Sequence, residues 1–192
     1  MESDDPHDFF GNYYAWGETV PKETYDWDYY KYAKQISSYN NSYIMTKYND
    51  KDRLTNLMPE DDIATVLLGD GFHIPTIAQW QELLDNTTLE LDTDHEYKTY
   101  MFVLRSKING KAIGIFGSGI KDGSYNKIYD YGNDKIYDYD NDGNAGLWTS
   151  NIGQQDSKCA KRIAFIVTGK NAIFVSEVNR YIGFPIRAVY NE

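Results

Sequence analysis

The sequence is short of cysteine, histidine, proline and positive charge. A single cysteine among 192 residues can form neither an internal disulfide nor a thiolate zinc cage. Ordinary burial must therefore hold the fold together. A chain of this length buries roughly 70% of the surface it exposes when unfolded, so one domain over residues 1–192 needs no staples. The three histidines, His7, His73 and His95, lie far apart and carry no metal spacing. With 19 Lys+Arg against 29 Asp+Glu, the formal net charge is −10. Such a chain repels phosphate backbones and anionic membranes, which speaks against nucleic acid as a partner. No apolar run approaches the ~18 residues of a membrane span. The run from Met1 to Pro6 has neither the basic nor the apolar region of a signal peptide. The protein is then cytoplasmic, or its leader lies outside this sequence. There is no nucleophile elbow, P-loop or dinucleotide glycine pattern.

Aromatic residues, by contrast, are abundant at 16%, and 18 of them are tyrosine. This argues against disorder. Charge is spread unevenly: residues 1–62 carry a net of −7, residues 63–150 a net of −6, and residues 151–192 a net of +3. The basic C-terminal part can dock on an acidic body by long-range attraction.

Two helices are predicted. Pro59-Glu60-Asp61-Asp62 supplies a first turn of proline and acids, followed by Ile63, Val66 and Leu67 at i, i+3, i+4 and a stop at Gly69. The second begins at Pro75-Thr76, with Thr76 and Gln79 at capping-box spacing. Ile77, Trp80, Leu83 and Leu84 form its apolar stripe, and Asn86 ends it. After residue 97 the period becomes two-fold. Tyr100 to Leu104 and Lys111 to Phe116 read as a hairpin around Asn109-Gly110. A second hairpin runs from Cys159 through Val167, turns at Gly169-Lys170-Asn171 and returns over Ala172 to Val178. Gly183 to Val189 reads as a last strand, with Pro185 marking an edge or bulge. Helices first and antiparallel hairpins after give an α+β class. Lys127-Ile128-Tyr129-Asp130-Tyr131 recurs as Lys135-Ile136-Tyr137-Asp138-Tyr139, a local duplication that lengthens an acidic, tyrosine-rich loop over 120–145.

Several motifs follow one another in order: Phe10 to Thr19 (FGNYYAWGET), Pro21-Lys22, Tyr25 to Tyr32 (YDWDYYKY), Thr46 to Asn49, Glu60-Asp61-Asp62, Ile74-Pro75-Thr76 with Gln79-Trp80 and Leu83, Asn109-Gly110, Trp148-Thr149-Ser150, and Arg180 to Arg187 (RYIGFPIR). Over roughly residues 9–190 the chain resembles the Fibrobacter succinogenes major paralogous domain. That family occurs in exported, often lipid-anchored proteins of gut-type anaerobic bacteria. The resemblance implies a C-type-lectin-like fold: two helices flanking antiparallel sheets, termini close together, and a long irregular region carrying the ligand site. It also places the protein outside the cell or at its surface. The chain departs from the family pattern at Leu68 to Ile74, at Ile115 to Gly119 and at Leu147. The first departure removes a tryptophan and an arginine that would help form a pocket.

The candidate site residues each have a structural alternative. Asp138, Asp140 and Asp142 before Gly143 match the start of a calcium loop, in which alternating carboxylates converge on one hard cation. Thr149 stands where that loop needs a bidentate Glu, and the competing reading is a solvated acidic loop. Trp148, if exposed beside Asn151, Tyr129 and Tyr137, would suit a sugar: the ring stacks on the apolar face and polar groups read hydroxyls. The competing reading places Trp148 in the core. Arg180 and Tyr181, in the turn before the final strand, lie where diversified proteins of this fold display ligand-binding residues. Arg180 could instead pair with one of the many acids. Cys159 reads as a small buried hydrophobe.

The functional expectation is a non-enzymatic binding or adhesion module for a glycan or a surface protein. Two alternatives stand beside it: a structural module of larger surface proteins without a small-molecule site, and an oxidase of the formylglycine-generating type, whose relatives use a pair of reactive cysteines.

Overall fold

In the computed structural model, the described residues are 11–94, 99–123, 127–128, 144–167 and 172–191. They form a mixed α+β fold of two helices and mostly antiparallel strands. A hairpin of β1 (Ala33–Ser37) and β2 (Ser42–Met45) comes first. A 3-10 turn over Pro59–Asp61 leads into α1 (Ile63–Leu68), followed by β3 (Phe72–His73) and α2 (Ile77–Asp85). β4 (Thr87–Asp94), β5 (Thr99–Ser106) and β6 (Ala112–Phe116) make one three-stranded sheet. Short strands β7 (Lys121–Asp122) and β8 (Lys127–Ile128) pair next. The second three-stranded sheet has β9 (Ala145–Ile152), β10 (Cys159–Ile166) and β11 (Ala172–Asn179), with β10 in the centre. Finally β12 (Val189–Tyr190) pairs with β3. No described helix is long and apolar enough to cross a membrane.

Both helices start as their sequences dictate. Thr76 accepts from the Gln79 backbone N–H while the Gln79 side chain accepts from the Thr76 N–H, completing the capping box. Asp62 is not in the first turn of α1. It is the N-cap, accepting from Ala64 and Thr65, and its second oxygen takes the Ile74 N–H. The stripe of α1 is only half used, because Ile63 and Ala64 are buried while Val66 and Leu67 are exposed.

Two strand expectations are corrected. Residues 183–189 do not form one strand: Phe184 makes an isolated bridge to Tyr14, and only Val189–Tyr190 pair as a strand. Pro185 has no N–H to continue a ladder. The Asn109-Gly110 pair lies in a wider loop than a two-residue turn, since Ser106 and Lys111 close it and only Gly110 has positive φ, 71°.

β9 joins two cores. Successive side chains on a strand face opposite ways. Trp148 therefore enters a core with Trp16, Phe184 and the N-terminal tyrosines, while Ala145 and Leu147 enter another with Trp80, Phe102, Leu104, Ile163 and Phe165. The tyrosine-rich core satisfies its hydroxyls on backbone carbonyls. Tyr25 donates to Tyr13 O and Tyr30 to Trp16 O, each at 2.7 Å. The two indoles cross-bond, Trp16 Nε1 to Thr149 O and Trp148 Nε1 to Tyr14 O, both at 2.8 Å. The N-terminal segment is thereby fastened to β9, where the walls of the cleft described next begin.

Candidate functional site: a polar cleft between two loops

From the last two residues of β9 the chain runs on through a turn to Ser157, and the loop after β2 runs past it over Asn49–Thr55. Together with Lys161 of β10 they line an open cleft of about 660 Å³. The backbone of each wall is tied to the other. Leu57 N donates to Ser150 O and Ile152 N to Thr55 O. The Asn151 side chain spans a third junction, accepting from Ile77 N at 2.8 Å and donating to Asn56 Oδ1 at 2.6 Å.

Each loop is also held internally. The Asp52 carboxylate accepts from the backbone N–H groups of Tyr48, Asn49 and Leu54. Burial alone would push the Asp52 pKa up, but these N–H groups and the nearby Arg180 charge outweigh it and hold it below the ordinary value. In the other loop, Gly153 N donates to Cys159 O and Cys159 N to Asp156 O. A Cβ at Gly153 would come within 2.8 Å of the Cys159 carbonyl. Glu177 of β11 accepts from the Gln154 and Gln155 N–H groups.

Beneath the cleft lies Arg180, fully buried at 0% exposure. Its Nη1 donates to Tyr48 O at 3.1 Å and to Ser157 O at 2.8 Å; its Nη2 donates to Lys47 O at 3.1 Å. Nε donates to the Tyr30 hydroxyl at 2.8 Å. One guanidinium thus ties Ser157 of one wall to Lys47 and Tyr48, the residues that lead into the other. Trp16, Tyr30, Tyr32 and Tyr48 surround it with ring centroids 5.0–5.9 Å away, within cation–π range. Burial drives the Tyr30 hydroxyl pKa well above its ordinary value, with Arg180 opposing.

A second buried charge supports the same wall. Asp61 receives hydrogen bonds from Lys31, Lys47 and Tyr48. The Tyr32 hydroxyl makes no aligned bond of its own, yet lies near enough to the carboxylate to help hold it ionised. Burial pushes the Asp61 pKa up, and the surrounding donors overcome it, leaving it at about 2.

The structure separates the candidate residues. Trp148 is 0% exposed, so it offers no face to a sugar; its place on the doubly buried strand β9 puts it in the core. Arg180 is also fully buried and makes no ligand-facing contact. Its partners are carbonyls and a hydroxyl, not carboxylates, because the fork of five N–H groups fits converging loop carbonyls. Asn151 does line the cleft, but its amide is committed to the scaffold. Tyr181 is half-buried, edge-on to Trp27 at 4.7 Å. Trp27 is the one tryptophan not fully enclosed. Tyr129, Tyr137, Asp138, Asp140 and Asp142 lie outside the described residues. Among the described residues no group of three or more His, Cys, Asp or Glu side chains converges as a metal site would.

Sequence reasoning missed the cleft itself. The signals available were the polar, turn-rich runs Asn49-Asp50-Lys51-Asp52-Arg53 and Gly153-Gln154-Gln155-Asp156-Ser157, each following a strand. Comparison with family models, with curated proteins and with solved structures gives no match.

Proposed function

We propose that this chain is a non-enzymatic binding module of the C-type-lectin-like kind, related to the Fibrobacter succinogenes major paralogous domain, and that it takes a glycan at the cell surface in the cleft between residues 49–55 and 151–157. One observation carries the reading: an open polar cleft whose two walls are pinned to one buried guanidinium. Walls fixed before the ligand arrives avoid the ordering cost of binding. The rim offers the amide side chains of Gln154 and Gln155 and the hydroxyls of Thr55 and Ser157, the groups that exchange hydrogen bonds with sugar hydroxyls. Two helices followed by two antiparallel three-stranded sheets, and the bridge that joins Tyr14 to Phe184, support the lectin-like assignment. An oxidase of the formylglycine-generating type is disfavoured by the single cysteine. Calcium at Asp138, Asp140 and Asp142 remains part of the proposal as a separate site.

The test is an NMR titration of the full chain with a panel of oligosaccharides, with and without calcium. Shifts confined to 49–55 and 151–157, lost in a Gln154→Ala/Gln155→Ala double variant of unchanged melting temperature, support the cleft. Shifts elsewhere, or binding indifferent to the double variant, overturn it.

A further inference from the structure

Arg53 is held at φ 55°, in the left-handed region where a Cβ crowds the following carbonyl and glycine or asparagine is the economical choice. Its N–H is used, donating to Asn49 O. Its guanidinium has no partner among the described residues, and the residue is exposed. An unfavourable backbone conformation kept for a side chain that does nothing inside the fold points outward, to something the side chain does for a ligand.

Lys161 lines the same cleft from β10 and also lacks an ionic partner among the described residues. Four cations elsewhere are ion-paired, while among the described residues Lys34, Lys51, Lys111 and Arg187, outside the cleft lining, are not. Lys22 is paired with Glu18, Lys31 and Lys47 with Asp61, and Arg105 with Glu90. The acids around the cleft are largely occupied. Asp52 serves three backbone N–H groups, Asp156 accepts from Lys158 N, and Glu177 accepts from Gln154 and Gln155. Of the lining acids, Asp50 alone accepts no hydrogen bond within the described residues. In a chain with a net charge of −10, the cleft therefore keeps two unengaged cations on separate elements.

We infer that the cleft selects an acidic glycan, with Arg53 and Lys161 gripping a carboxylate or sulfate on one sugar residue. A guanidinium matches the two oxygens of either group with parallel N–H bonds, and an ammonium from a second element adds a point charge. This rests on the cleft being the glycan site.

The experiment is calorimetric titration of the full chain with oligogalacturonides, carrageenan oligosaccharides and neutral cello-oligosaccharides, repeated at raised salt. Either acidic probe should bind in preference to the neutral one, and salt should weaken it; the two acidic arms separate carboxylate from sulfate. Arg53→Gly and Arg53→Asn keep the backbone conformation. They should weaken the acidic probe by about tenfold or more while raising the melting temperature by about 2–4 °C. Arg53→Lys should retain part of the affinity. Equal binding of neutral probes, or full affinity in Arg53→Gly, would overturn the anion assignment and leave the cleft standing. Failure of every probe would remove the cleft reading and this one with it.

Discussion

Replacing Arg180 probes the element that ties the cleft to the core. Arg180→Ala leaves the carbonyls of Lys47, Tyr48 and Ser157 without a donor in the interior. Each buried orphan costs about 1–3 kcal/mol, or roughly 3–9 kcal/mol together, before any cavity is counted. A whole domain has only about 5–15 kcal/mol of stability, so the alanine variant should fail to fold or melt near ambient temperature. Arg180→Lys is the informative change. Its ammonium keeps the charge and can reach one or two carbonyls, but cannot fork across both walls. The loss should be about 2–4 kcal/mol. At about 2–4 °C per kcal/mol for a chain of this size, the melting temperature should fall by roughly 5–15 °C. Arg180→Met, which fills the space but donates nothing, should be worse still. The assays are differential scanning fluorimetry and urea unfolding, with amide exchange to follow the walls: protection at 49–55 and 153–157 should drop more than in β5 or α2. A lysine variant within about 0.5 kcal/mol of the parent, or a methionine variant more stable than the lysine, would refute the reading of Arg180 as the tie between the walls.

Four further outcomes follow from particular contacts. Asp61, with its pKa held at about 2, contributes stability that is fully present above the unfolded value of about 3.9 and is lost as pH falls from there toward 2. Urea midpoints should drop across that window by the equivalent of about 1–2 kcal/mol, and Asp61→Asn should flatten the slope. Gly146→Ala places a Cβ 2.5 Å from the Phe184 ring and should cost about 1–3 kcal/mol by overpacking, read as a lower melting temperature. Thr76→Ala removes the α2 cap and should cost about 1 kcal/mol in urea unfolding. The Cys159 thiol, its pKa raised by burial and then by Asp156 and Glu177, should react slowly with a thiol reagent at neutral pH and faster in denaturant.

Local chemistry made part of this fold legible. α2 was readable because its cap, stripe and stop all use near-neighbour residues, and the hairpins of β5 with β6 and β10 with β11 because alternation and turn residues agree. The hairpin of β1 and β2 escaped notice: Ala33-Lys34-Gln35-Ile36-Ser37 has little strand character, and its place is set by Tyr43 and Met45 packing inward. β4 was missed because its pairing with β5 is a tertiary fact that an acidic stretch does not announce. The site was the least legible. Trp148 and Arg180 carry functional-looking side chains, yet Trp148 stands on a strand buried on both faces and Arg180 faces carbonyls from two separate segments and a hydroxyl from a third. The spacing of residues along the chain does not encode either circumstance. The cleft joins two loops about a hundred positions apart, and only the folded backbone brings them together.

The junction of Tyr14 with Phe184 has a consequence for the order in which this part of the chain can fold. Tyr14 and Phe184 exchange backbone hydrogen bonds, Trp16 N donates to Arg180 O, and Arg180 fills a cage of N-terminal aromatics. The tyrosine-rich core therefore lacks its cation, and two of its backbone seams, until residues 180–184 have been synthesised. Contacts of such long sequence separation form late, because the loop they close must first be searched. During synthesis the emerging chain would hold its aromatic half open, with hydrophobic surface on display, while α2 and the hairpin of β5 and β6 could already assemble. The cleft, whose walls wait on the same arginine, would take shape after α2 and that hairpin.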